Sequence, residues 1–126
     1  MSLPAAGGTA AATHTVTSDD TAIALGSGDV PVLATPRLMA WFEAATVAVA
    51  GSDAESASVG SHVEIYHLAP SPVGKEVTVR AELERTDGRR LHFFAVAEHS
   101  DGTVVARANI VRVVVDRAKF GPPASA

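Results

Sequence analysis

Between Pro36 and Ala50 the chain runs fifteen residues with only two charged side chains, Arg37 beside the start and Glu43 in the middle. Thr35 and Pro36 read as a helix start, because a Thr hydroxyl can accept from the free first-turn amides and Pro is preset for the first helical position. Gly51 reads as the stop. A helix that is apolar nearly all round is one that other elements wrap, and the rest of the chain is suited to wrapping it. After a Ser/Ala/Gly-rich loop over 51–60, the period changes from helical to twofold. Ser61 to Leu68 places Val63, Ile65 and His67 on one face and His62, Glu64 and Tyr66 on the other. Lys75 to Arg85 alternates more cleanly, with Val77, Val79, Ala81 and Leu83 opposite Glu76, Thr78, Arg80, Glu82 and Glu84, the pattern of a half-buried antiparallel strand. Asp87-Gly88 turns the chain into Arg90 to His99, and Asp101-Gly102 turns it again into Thr103 to Asp116.

With a first strand at His14 to Thr17 and a short apolar run at Thr21 to Leu25, the order is strand, buried helix, then four strands in antiparallel sequence. Such a sheet must cover its apolar face, and the long helix is the element able to do so. The expectation is an α+β chain of the hot-dog type, a curled antiparallel sheet wrapped around one central helix. At 126 residues there is room for one domain, placed at 13–120, with small-residue and proline-containing segments at 1–12 and 121–126 expected to be disordered tails. The last strand is apolar on both faces: Val104, Ala106, Ala108, Ile110 and Val114 line one, and Val105, Val111, Val113 and Val115 the other. One face packs on the helix, and a second subunit is the simplest cover for the other, which predicts a homodimer or homotetramer joined through that strand.

Composition removes several functions. With 47% hydrophobic and 19% charged residues the chain is globular, and a net charge of −4 supplies no basic surface for nucleic acid or an anionic membrane. The absence of cysteine rules out disulfides, thiolate metal ligands and a Cys nucleophile. The five histidines show no ligand spacing, since His62 and His67 point to opposite strand faces, and His14, His92 and His99 read as ordinary surface or sheet residues. No metal and no resident cofactor are expected. The start of the chain lacks a signal-peptide pattern and no apolar stretch reaches the roughly 20 residues that span a bilayer, so the expected location is the cytoplasm. Gly26-Ser27-Gly28 lacks the Lys and following helix of a phosphate loop and reads as a turn.

Glu43 is the most informative residue. An unpaired carboxylate in an apolar helix is costly, so it either finds donors or titrates abnormally, and a general base or nucleophilic carboxylate uses both. The alternative is a structural Glu bonded to an Arg or to backbone amides. His67 shares its face with Val63 and Ile65 and so points inward, as a core histidine or a partner of Glu43. Thr35 is a helix cap, a group facing a developing oxyanion, or both. Arg112, among apolar neighbours, either pairs with a carboxylate or meets ligand phosphates.

Three stretches resemble the fluoroacetyl-CoA thioesterase-like branch of the hot-dog thioesterases: Ala34 to Glu43, Ser58 to His67, and Gly74 to Leu91, with similarity continuing to Lys119-Phe120. The family pattern has a Thr, a Glu eight residues on, and a Gly seven residues before an inward His, which fall here on Thr35, Glu43, Gly60 and His67; the family's late Arg falls on Arg112. The resemblance implies hydrolysis of an acyl-CoA thioester, with Glu43 as base or nucleophile, His67 assisting, Thr35 and the Gly60 amide steadying the carbonyl oxygen, and Arg112 in substrate binding. The family's namesake carries a longer, phenylalanine-bearing lid ahead of the Thr, where this chain has only Gly26 to Leu33, so selectivity for fluoroacetyl-CoA is not implied. A non-catalytic acyl-binding protein is the alternative, and an enoyl-CoA hydratase a weaker one.

Overall fold

The structure, a computed structural model, describes residues 3–120. Strand β1 (Thr9–Thr15) leads through a 3-10 turn and the short helix α1 (Ala22–Leu25) into the long helix α2 (Thr35–Ala50). Strands β2 (Ser56–His67), β3 (Glu76–Asp87), β4 (Arg90–Glu98) and β5 (Val104–Asp116) come next, with a terminal turn of helix, α3 (Arg117–Phe120). One five-stranded sheet results, in the order β1-β3-β4-β5-β2, antiparallel throughout. This is the anticipated α+β hot-dog arrangement.

Alternation decides which side of the sheet meets α2. Val77, Val79, Ala81 and Leu83 of β3 are buried, as are Leu91, Phe93, Ala95 and Ala97 of β4 and Ala106, Ala108 and Ile110 of β5. Register aligns the small ones, with Ala81 opposite Ala95, Ala95 opposite Ala108, and Ala97 opposite Ala106. This alanine floor lets the helix sit close, and Leu38, Phe42, Ala45 and Thr46 press into it.

Four expectations need correction. The segment 1–12 is not wholly a tail, because Thr9–Thr15 pairs with β3 and Gly7 donates to the Leu83 carbonyl; Ala10 to Ala12 carry too little side chain to signal a strand, and pairing decides instead. The segment 121–126 and residues 1–2 lie outside the described residues. Strand β2 begins at Ser56, inside the stretch read as a loop, and it pairs with β5 and not with its sequence neighbour β3. Thirdly, of the β5 face expected to need a second subunit as cover, Val105 and Val115 are already buried within the chain and only Val111 and Val113 stay partly exposed, while the free edges of the sheet belong to β1 and β2. Fourthly, α2 is not wrapped all round: Ala40, Ala44, Val47 and Ala48 are exposed, Val47 by 45%.

His14 and His99 are also more than surface residues. The His14 ring stacks on Trp41 of α2 at 4.2 Å, and the buried pair Ser71 Oγ and His99 Nε2, 2.6 Å apart, ties the β2–β3 connection to the β4–β5 turn. No helix among the described residues is long and apolar enough to cross a membrane.

Candidate active site

Helix α2 carries two of the five residues singled out, and each meets a different part of β2. Ala34, not Thr35, is the N-cap, with no side-chain cap bond. Thr35 is thereby released from the capping role, and its hydroxyl lies 2.8 Å from His67 Nδ1. His67 is half-buried, and desolvation lowers its pKa from the ordinary 6.5 against an opposing hydrogen bond with the Ala69 backbone. The ring is therefore neutral at pH 7. Its Nε2 is buried and makes no hydrogen bond among the described residues.

Two turns further along the helix, Glu43 Oε2 lies 3.4 Å from Arg112 Nη1. The arginine is the buried member, its side chain 7% exposed against 36% for Glu43. Its remaining donors are taken by Ser58, Nε to the hydroxyl at 2.8 Å and Nη2 to the carbonyl at 3.0 Å. Burial pushes the guanidinium down from its ordinary value and Glu43 opposes that shift, but a guanidinium stays charged at any pH the fold survives. So Arg112 pairs with a carboxylate, and the alternative of meeting ligand phosphates does not fit its buried, occupied fork. Glu43 is the carboxylate that found a donor.

Gly60 is explained by the same cluster. A Cβ built on it would stand 2.6 Å from Glu43 Oε2, so only glycine lets the carboxylate lie against the β2 backbone. Gly60 and His67 are seven residues apart, an odd spacing that would put them on opposite faces of a regular strand. The structure resolves this with a bulge: Gly60 pairs with Arg112 and His62 with Val111, leaving Ser61 as the extra residue. Both Gly60 and His67 therefore face α2. Sequence reasoning alone misses the bulge and Ser58; the odd Gly60 to His67 spacing, with both required inside, is the available signal.

The residues thus form two clusters, not one. Thr35 and Glu43 are eight positions apart, about 12 Å along a helix axis. Gly60 and His67 lie opposite Arg112 and Ala106, six residues apart on β5, roughly 20 Å of strand. Within one subunit the Thr35–His67 pair and the Glu43–Arg112–Gly60 cluster are too far apart to act on one carbonyl. A pocket of about 290 Å³ opens on the Thr35–His67 pair, walled by the segment that precedes α2. No group of three or more metal-ligating side chains occurs among the described residues.

No curated protein matches the chain in sequence. Solved structures do. A Thermus thermophilus hypothetical protein, described as a thioesterase superfamily member, superposes with a TM-score of 0.86 at 26% identity, covering 95% of this chain and 90% of that one. The fluoroacetyl-CoA thioesterase FlK superposes at 0.83 with 26% identity, covering 92% and 91%. A mutant of that enzyme in complex with fluoroacetate and CoA gives 0.83 and 26%, covering 93% and 99%. The family model described as fluoroacetyl-CoA-specific thioesterase matches residues 16–118, which takes in both clusters and the pocket. The chain belongs to the fluoroacetyl-CoA-specific thioesterase family and is an acyl-CoA thioesterase of the hot-dog fold.

Proposed function

We propose that this protein hydrolyses a short-chain acyl-CoA to the free acid and CoA at a site shared between two subunits. The single observation that supports the sharing is the separation of the two clusters along α2 and β2. Strand β2 is an edge, with a row of backbone donors and acceptors open to another strand. Antiparallel pairing of β2 with its copy about a twofold axis at Glu64, with Ser61 again the extra residue, sets Gly60 opposite the partner's His67. Each Glu43 then approaches the Thr35–His67 pair of the other subunit, and one dimer has two equivalent composite sites. The exposed Ala40, Ala44, Val47 and Ala48 of α2 provide apolar surface that a second copy can cover.

At such a site the thioester carbonyl oxygen sits by the Thr35 hydroxyl and the Gly60 amide, donors for the oxyanion that forms on attack. The Glu43 carboxylate either takes a proton from water as that water attacks the carbonyl carbon, or attacks directly to give an acyl anhydride that water then cleaves. Collapse of the tetrahedral species breaks the C–S bond, and the CoA sulfur leaves as thiolate and takes up a proton. Arg112 supplies the countercharge that holds Glu43 in place. The neutral His67 fixes the Thr35 hydroxyl. CoA is substrate here, not a resident cofactor, and the compartment in keeping with an acyl-CoA supply is the cytoplasm.

The test is CoA release across acetyl-, propionyl-, branched and aryl acyl-CoAs, alongside sedimentation at micromolar protein. Turnover by a dimer or tetramer is expected. Thermal stabilisation by acyl-CoA with no CoA release would make the protein a binder, and a monomer that turns over would remove the shared site.

A further inference from the structure

The segment before α2 is a closed loop, not a free one. Ala22 donates to the Val32 carbonyl, Ser27 to the Ala22 carbonyl and Leu33 to the Ser71 carbonyl, while Val32 bridges to Pro72. Gly26, at φ 68°, closes the short helix in the left-handed region, and a Cβ on Gly28 would press within 3.2 Å of Ala22 Cβ. The loop is thereby held against the Thr35–His67 pair, with Val30, Val32, Leu33 and Leu68 giving the pocket an apolar wall. Asp29 also lines that pocket, and it is the one lining side chain with a formal charge, since His67 is neutral at pH 7. Among the described residues Asp29 has no ion-pair partner and no side-chain hydrogen bond. At about 290 Å³ the pocket is at the small end of ligand sites and suits a short acyl chain.

We infer that Asp29 sets the charge preference of the acyl pocket, so that the site takes short acyl-CoAs whose chain carries an ammonium or hydroxyl donor and turns away those ending in a carboxylate. This rests on the reading that Thr35 and His67 hold the thioester carbonyl. Asp29 is exposed at the mouth of the pocket, so its carboxylate acts on a charged chain across short distances and the effect weakens with added salt. The phosphates of CoA are the same in every substrate, so their repulsion cancels in a ratio between acyl groups.

The experiment compares kcat/KM for β-alanyl-CoA and succinyl-CoA in wild type, Asp29→Asn and Asp29→Lys. Wild type should favour β-alanyl-CoA by about tenfold or more; Asp29→Asn should remove most of that preference, and Asp29→Lys should reverse it. An equal ratio in all three proteins would overturn the proposal while leaving the thioesterase reading intact. Dissociation constants for the non-hydrolysable thioethers S-(3-aminopropyl)-CoA and S-(3-carboxypropyl)-CoA give the same comparison without turnover. Absence of turnover in wild type overturns the hydrolase reading alone, whereas thioether affinities unmoved by Asp29→Lys overturn the Asp29 assignment alone.

Discussion

The start and the middle of the central helix are built differently. Around Glu43 the buried Arg112 has its donors occupied by Glu43 and Ser58, and on the β2 side Gly60 leaves the carboxylate only the volume of a missing methyl. Around Thr35 a single hydrogen bond joins two partly exposed side chains, and a pocket opens beside them. The middle is suited to holding one charged group in one place; the start is suited to admitting a ligand. A thioesterase needs both properties at one carbonyl, and the fold puts them two turns of helix apart in a single subunit.

If that division of labour holds, the largest effect comes from Glu43→Gln. Glutamine keeps the shape and can still accept from Arg112, yet cannot take a proton from water or attack at neutral pH, so kcat should fall by about 10³-fold or more with the melting temperature nearly unchanged. Full activity in a well-folded variant would reduce the Glu43 cluster to a structural ion pair.

A smaller loss should come from Gly60→Ala. The new methyl forces the carboxylate aside by about 1 Å, and misplacement of that size lowers kcat by up to about 10²-fold. Because Oε2 is the far end of a flexible side chain, stability should change little. A variant that loses its fold instead would show that the close approach is structural.

The mildest effect is on acid stability, and His67 at the start of the helix contributes part of it. Burial lowers the pKa of His67, and of His14, where Asp20 opposes the shift, below the ordinary 6.5. Between those lowered values and 6.5 the unfolded chain binds more protons than the folded one, so stability is full above about pH 6.5 and declines as pH falls through the folded pKa values. Urea unfolding at pH 5 and pH 7 should show the decline, and His67→Gln should reduce it. An unchanged slope would place the loss in the carboxylates, whose window lies lower.

The core is legible in the sequence because alternation is a local signal. Val77 to Leu83 announce their buried face, and Asp87-Gly88 and Asp101-Gly102 announce their turns. Strand β1 is harder to see, since three alanines in a row carry no period and the pairing with β3 is a long-range event. The candidate residues Thr35, Glu43, Gly60, His67 and Arg112 can all be named from the sequence, but not their division into two clusters. That depends on the Ser61 bulge and on which strand neighbours which, neither of which is written in residue spacing. Ser58 and Asp29 stay hidden for a related reason: a lone Ser and a turn Asp acquire meaning only from what the fold sets beside them.

The shared site is tested most directly by mixing two inactive variants. Glu43→Gln lacks the charged group at the middle of the helix, and His67→Ala lacks the ring beside its start. If each site takes Glu43 from one subunit and His67 from its partner, unfolding and refolding the two variants together at equal amounts gives heterodimers with one intact site and one doubly damaged site. Half of the dimers are then heterodimers, and CoA release should recover to about a quarter of the wild-type rate. Mixtures that form heterodimers by native mass spectrometry yet stay as inactive as either variant alone would contradict the account, because both groups would then have to come from the same subunit.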